Sequence, residues 1–219
     1  MQYHPLINFI VASGVPLQTV ALLLMLPIVV TLVAFFRQVI GIKAFGIYTP
    51  SIITFALLAF DPNGIKYGIA IFIAVIVVGT LSRLLMKKFR LLYLPRVAIT
   101  VSIVSLAILF ILVIGGMTQR TGLAAVSIFP LLIMITQAEK YIATQIEKGS
   151  RVALILALET LIISVVGYFL ISWHALTTLI LQYPWIILFT FVINFSLGKW
   201  TGLRVTEYLR FRKIIRHLQ

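Results

Sequence analysis

The chain contains no cysteine, which excludes disulfides, thiolate zinc sites and cysteine nucleophiles. Acids are almost as scarce: five Asp and Glu stand against eighteen Lys and Arg, a net charge of +13. The three histidines, His4, His174 and His217, are scattered, and no His-Glu-x-x-His pattern accompanies them. No Walker loop, Gly-rich dinucleotide fingerprint or Gly-x-Ser-x-Gly elbow occurs. NTP hydrolysis, serine-type acyl transfer and metallopeptidase chemistry therefore lose their usual residues, and neither a cofactor nor a metal is expected. Strand-like alternation is also missing, which argues against a β-barrel.

What is present is apolar residue. Of 219 residues, 62% are hydrophobic and 11% charged, with a mean hydropathy of +1.15. Soluble domains are about a quarter charged. The composition therefore predicts an all-α, polytopic membrane helix bundle. Seven hydrophobic segments approach the ~20 residues that a spanning helix needs: 17–37, 44–60, 65–86, 95–115, 122–141, 151–172 and 180–199. Turn signals lie between them at Gly41, Asp61-Pro62-Asn63-Gly64, Gly115-Gly116, Gly149-Ser150 and Trp173-His174. Segment two is short and carries Pro50, so it reads as a span broken there. Pro27, Pro130 and Pro184 should kink or start helices. The domain plan is a short external or interfacial lead over 1–15, a seven-helix membrane domain over 16–203, and a basic amphipathic C-terminal helix over 204–219.

The cations decide orientation. Arg37 and Lys43, then Arg83 to Arg96, then Lys140, Lys148 and Arg151, then Lys199 to Arg216 all fall at alternate helix ends, leaving only Lys66 and Arg120 on the opposite side. Positive residues stay inside, so the N-terminus is expected outside and the C-terminus in the cytoplasm. The same placement between apolar runs argues against nucleic acid as a partner. The bilayer is the partner, and with no basic residue ahead of the first apolar stretch a cleavable signal peptide is not expected. A bacterial inner (cytoplasmic) membrane is the default location.

The few polar groups in apolar surroundings are the candidate sites. Glu159 sits about two turns into segment six, where an ionised carboxylate is costly. A proton or substrate site and a structural hydrogen bond both stay open, and the carboxylate is expected to face the bundle interior with a polar partner on another helix. Asn194 in segment seven can bond between helices. Arg37, Arg96, Glu139, Arg204, Glu207 and Arg210 collect at the inner end of the helices, either as a polar inner-face cluster or as snorkelling anchors with ordinary ion pairs. Asp61 is a turn former and Glu147 a solvated loop charge.

Four stretches carry a family resemblance. They are Arg37-Gln38-Val39-Ile40-Gly41 running into Phe45-Gly46-Ile47-Tyr48-Thr49-Pro50; Leu94-Pro95-Arg96; Phe129-Pro130 with Glu139 ten residues after the Phe; and Gly198-Lys199-Trp200-Thr201-Gly202-Leu203-Arg204 with Glu207 and Arg210-Phe211-Arg212. In that order they resemble the seven-helix membrane domain usually fused to an inactive transglutaminase-like domain, over the chain from about residue 16. The resemblance implies a membrane component of a peptide-modification or sensing system, with a cytoplasmic peptide ligase as partner and no established chemistry. Only a short lead precedes the first helix, so an outer transglutaminase-like domain is expected to be missing or to belong to another chain. Two functions follow. One is a non-enzymatic receptor or scaffold presenting a basic inner face. The alternative is a small transporter or channel built on Glu159 and the interrupted segment two. An intramembrane enzyme using Glu139 and Glu207 lacks an evident nucleophile.

Overall fold

The computed structural model describes residues 3–60, 64–89, 92–117, 127–200, 202 and 205. Among them the order is α1 (Pro5–Ala12), α2 (Leu17–Phe35), a π-helical turn (Phe36–Ile40), α3 (Tyr48–Leu58), α4 (Gly64–Met86), α5 (Tyr93–Met117), α6 (Ile128–Lys148), α7 (Ser150–Ser172), α8 (His174–Gln182) and α9 (Ile186–Gly198). No strand occurs among the described residues. The expected C-terminal helix over 204–219 lies, apart from Val205, outside them.

Each of the seven expected segments meets helix, but the helices differ in kind. Among the described residues four are long and apolar enough to cross a bilayer: Leu17–Ile40, Ile65–Met86, Tyr93–Met117 and Ser150–Ser172. The last segment is split. α8 and α9 are bent by 105° across Tyr183-Pro184-Trp185 and pass the same test only as a pair. Pro184 explains the break, because it has no N–H to continue a helix. α3 has eleven residues, about 16 Å at the helical rise, roughly half the hydrocarbon thickness. Pro50 occupies its first turn, where no helical N–H is lost; the expected break is a helix start. α6 runs past Tyr141 to Lys148 and is amphipathic, where the spanning helices are apolar all round.

The chain divides into two compact units, Met1–Lys43 with Phe169–Gln219, and Ala44–Tyr168. In the first, α2 packs against α1, α8 and α9. The lead is helical: Pro5 opens α1 and the His4 Nδ1 accepts the Leu6 N–H at 3.2 Å. Ile7 is buried with Val20 and Leu181, while Leu6 and Phe9 face outward. The α2–α9 contact has a polar lock. Asn194 Nδ2 donates to Thr31 Oγ1 at 2.8 Å, and Thr31 donates to the Pro27 carbonyl at 2.8 Å. Thr31 thus bonds its own helix one turn back, at the carbonyl of the proline, while its oxygen accepts from α9.

In the second unit α6 is the hub, packed on α3, α4 and α5. Ile53 and Leu57 of α3, Ile71 and Val75 of α4, Val104 of α5, Met134 and Ile142 of α6 and Ala157 of α7 form one buried core. Hydroxyls here bond their own helix: Thr54 to Pro50, Thr80 to Ile76 and Thr160 to Leu156, at 2.7–2.9 Å. This hides polar atoms where water is absent. α3 and α7 approach closely through small residues. Ser164 Oγ donates to the Pro50 carbonyl at 3.0 Å, the Thr54 hydroxyl shares its one proton between the Pro50 carbonyl and the Ser164 carbonyl at 3.2 Å, and Gly167 lies against Thr54.

A Cβ at Gly167 would stand 2.6 Å from Thr54 Oγ1. Gly167→Val is therefore expected to cost about 1–3 kcal/mol through overpacking. It should lower the melting temperature in detergent by several degrees. Gly198→Ala, which meets nothing within 4 Å, should leave it within a degree or two.

Candidate functional site

The polar groups of the second unit gather in two places. The first is the entry to α3. Ala44 is in the left-handed region, with φ of 43°, a conformation that costs a residue with a Cβ on the order of 1–2 kcal/mol. Two successive side chains of α7 hold it there. Glu159 Oε2 accepts the Ala44 N–H at 3.0 Å, and Thr160 Oγ1 accepts the Phe45 N–H at 3.0 Å. Adjacent helix positions diverge by about 100°, so residues 159 and 160 straddle one edge of α7 and match two consecutive amides of a bent backbone. Glu159 is half-buried and Thr160 buried. One partner of the carboxylate is therefore the turn ahead of α3.

The second is a seam along α6. Gln137, Tyr141 and Gln145 recur every four residues and so share a face; all three are buried. Tyr141 Oη lies 2.9 Å from Thr80 Oγ1, and Gln145 Nε2 donates to Tyr141 Oη at 2.9 Å. Thr80 spends its own proton on the Ile76 carbonyl, so the tyrosine proton goes to Thr80. Gly79 of α4 faces the tyrosine ring. The carboxamide oxygens of Gln137 and Gln145 are buried without a hydrogen-bond partner. Nearby pairs extend the polar character. Ser82 donates to Thr100 at 3.1 Å, Lys140 Nζ to Thr49 Oγ1 at 2.6 Å, and Arg83 to Ser150 Oγ at 2.8 Å.

Of the inner-face residues, Arg37 is on the π-helical turn of the first unit, Arg96 is half-buried in the first turn of α5, and Glu139 is exposed on α6. Among the described residues Glu139 makes no ion pair. Arg204, Glu207 and Arg210 lie outside the described residues, and with them most of the expected cluster. Asn194 is placed in the lock with Thr31. The residues that sequence reasoning passed over are Thr80, Tyr141 and Gln145; the four-residue spacing of polar groups on α6 was the available signal for the last two.

The apolar helices, the self-bonded hydroxyls and the polar seams between helices define a polytopic helical membrane protein. The chain belongs to the family of seven transmembrane helices usually fused to an inactive transglutaminase, whose model matches residues 3–215. No curated protein and no solved structure matches the chain.

Tyr141→Phe strips Thr80 of its donor and leaves Gln145 Nε2 only the longer 3.4 Å contact with Thr80. A loss of about 1–3 kcal/mol is expected. Gln145→Met, which removes an unsatisfied buried oxygen, should be neutral or stabilising. In the double variant the two effects should fail to add by at least ~0.5 kcal/mol, as read by thermal unfolding of the four proteins.

Proposed function

We propose that this chain is a non-enzymatic membrane module, a receptor or scaffold that presents its basic helix ends to a cytoplasmic protein. The observation that carries this reading is the use made of Glu159. Its carboxylate holds the Ala44 amide at the entrance to α3, so the one deeply placed acid acts as a backbone clamp. Membership of a family usually fused to an inactive transglutaminase supports the same reading, because such a fusion suits reception rather than turnover. In this proposal the N-terminus is outside and the C-terminus cytoplasmic, in a bacterial inner membrane. The partners are a peptide ligase on the inner side and a transglutaminase-like domain on the outer side. Arg83, Lys87 and Lys88, at and just beyond the end of α4, make up the inner docking face.

The transporter reading differs at one atom. Glu159→Gln keeps an oxygen that accepts the Ala44 N–H but removes the ionisable group. A clamp tolerates this, so folded yield and complementation of a deletion strain should both persist, while Glu159→Leu should lose folded protein. Loss of complementation by Glu159→Gln with full folded yield would favour transport. A reporter fused after Gln219 should be active only as a cytoplasmic fusion. Neutralising Arg83, Lys87 and Lys88 together to Gln should reduce co-purification of the ligase at least severalfold without changing membrane insertion.

A further inference from the structure

The first unit contains a feature that neither the clamp nor the docking face uses. α2 and α9 are bonded at Asn194–Thr31, 2.8 Å apart. They are tied again two helical turns further along, where Gln38 Nε2 donates to the Trp200 carbonyl at 3.4 Å. Between these ties lies a groove of about 340 Å³. Phe35 and Val39 form one wall, Val192, Ile193 and Leu197 the other, and Trp200 stands at the end. The π-helical turn Phe36–Ile40 sits in the first wall. Such a turn inserts an extra residue into the helix and shifts its faces, and π-turns recur at functional positions. Ser196 is the one hydroxyl in the lining, and it donates to the Val192 carbonyl at 2.9 Å. Apart from the Trp200 indole at its end, the lining therefore offers an occupant chiefly apolar contact.

The polar end is different. α9 stops at Gly198, and the next two residues are Lys199 and Trp200. Lys199 is exposed, its Nζ lies 4.4 Å from the Phe195 ring centroid, and no carboxylate pairs with it among the described residues. A lysine and a tryptophan at the end of an apolar helix sit at headgroup level. We propose that this groove is a binding site for one acyl chain of an anionic phospholipid, with the headgroup phosphate held at Lys199. The tail satisfies an apolar recess that water fills poorly, and the volume lies in the range of small-molecule sites. The negative charge answers an ammonium that the described protein leaves without a counterion. A zwitterionic lipid would satisfy the recess but not the charge preference.

The test uses the full chain in nanodiscs carrying a trace of phosphatidylglycerol with a photoactivatable diazirine near the acyl terminus, and the same probe on phosphatidylcholine. Labelling by the anionic probe should concentrate on Phe35, Val39 and Ile193. Ser196→Trp, which fills the groove, should cut that labelling at least about tenfold, and Val39→Trp should do the same from the opposite wall. Lys199→Gln should lower the anionic probe's labelling severalfold and leave the phosphatidylcholine signal unchanged. Variants are accepted only when their melting temperature matches the parent's. Labelling spread evenly over the exposed Phe189 and Phe191, or unaffected by either tryptophan, would mean annular lipid only and overturn the site. Equal labelling by the two probes would overturn the anionic assignment.

Discussion

Two backbone amides, those of Ala44 and Phe45, set the terms for the second unit. A chain that leaves helical geometry within or beside hydrocarbon exposes N–H groups with no water to take them, each at a cost of several kcal/mol. Here the turn is forced further, because Ala44 carries a Cβ into the left-handed region. Glu159 and Thr160 supply the two acceptors. Because both stand on α7, holding the amides also fixes where α3 starts. From that start follow the Thr54–Ser164 bonds, the approach to Gly167 and the burial of Ile53 and Leu57. A short helix unable to span alone is thereby built into the core from its first residue.

α6 follows a second logic. It is the least apolar of the long helices and yet packs on three others, α3, α4 and α5. A helix with polar groups on one face is normally turned outward. α6 instead buries Gln137, Tyr141 and Gln145 and satisfies most of their donors internally, through Thr80 and its own backbone. The exposed positions keep Glu139, Lys140, Glu147 and Lys148, whose charges suit an interface better than an acyl layer. The two carboxamide oxygens without partners are a standing cost of about 1–3 kcal/mol each. That cost is carried by residues in the middle of the unit, where an apolar substitution would fit the surroundings better.

The helical class and the order of the segments were legible because hydrocarbon imposes a coarse rule: about twenty apolar residues, then a charge or a turn. Leu17–Ile40, Ile65–Met86 and Ser150–Ser172 follow it closely. The rule is silent about α3, where an apolar run of spanning length holds only eleven helical residues, since Gly46 and the Ala44 turn use the rest. It also misses the bend between α8 and α9. Composition there is uniformly apolar, and only Pro184 marks the change. For the candidate site, Glu159 stood out from sequence because a carboxylate among leucines is costly. The Ala44 amide that it accepts did not, because a main-chain N–H leaves no mark on composition. Thr80 was hidden for a related reason: a threonine in a membrane helix usually bonds its own turn, and nothing local says that it also receives a tyrosine from elsewhere.

Asn194 shows how the same physics serves both polar and apolar ends of one helix. Its amide reaches Thr31, which is itself turned toward the carbonyl of Pro27. The threonine spends its proton within α2, and the asparagine extends the chain of bonds to α9. An interhelical bond of this kind is worth about 0.6 kcal/mol on average in a membrane protein, too little to hold two helices that share few buried contacts. α9 buries only Thr190 and leaves Phe189, Phe191 and Phe195 outward, so lipid must supply much of its environment. The bond therefore acts on register more than on strength. It fixes which residues of α9 oppose the π-helical turn, and so decides that Ile193 and Leu197, rather than the phenylalanines, line the recess beside Val39.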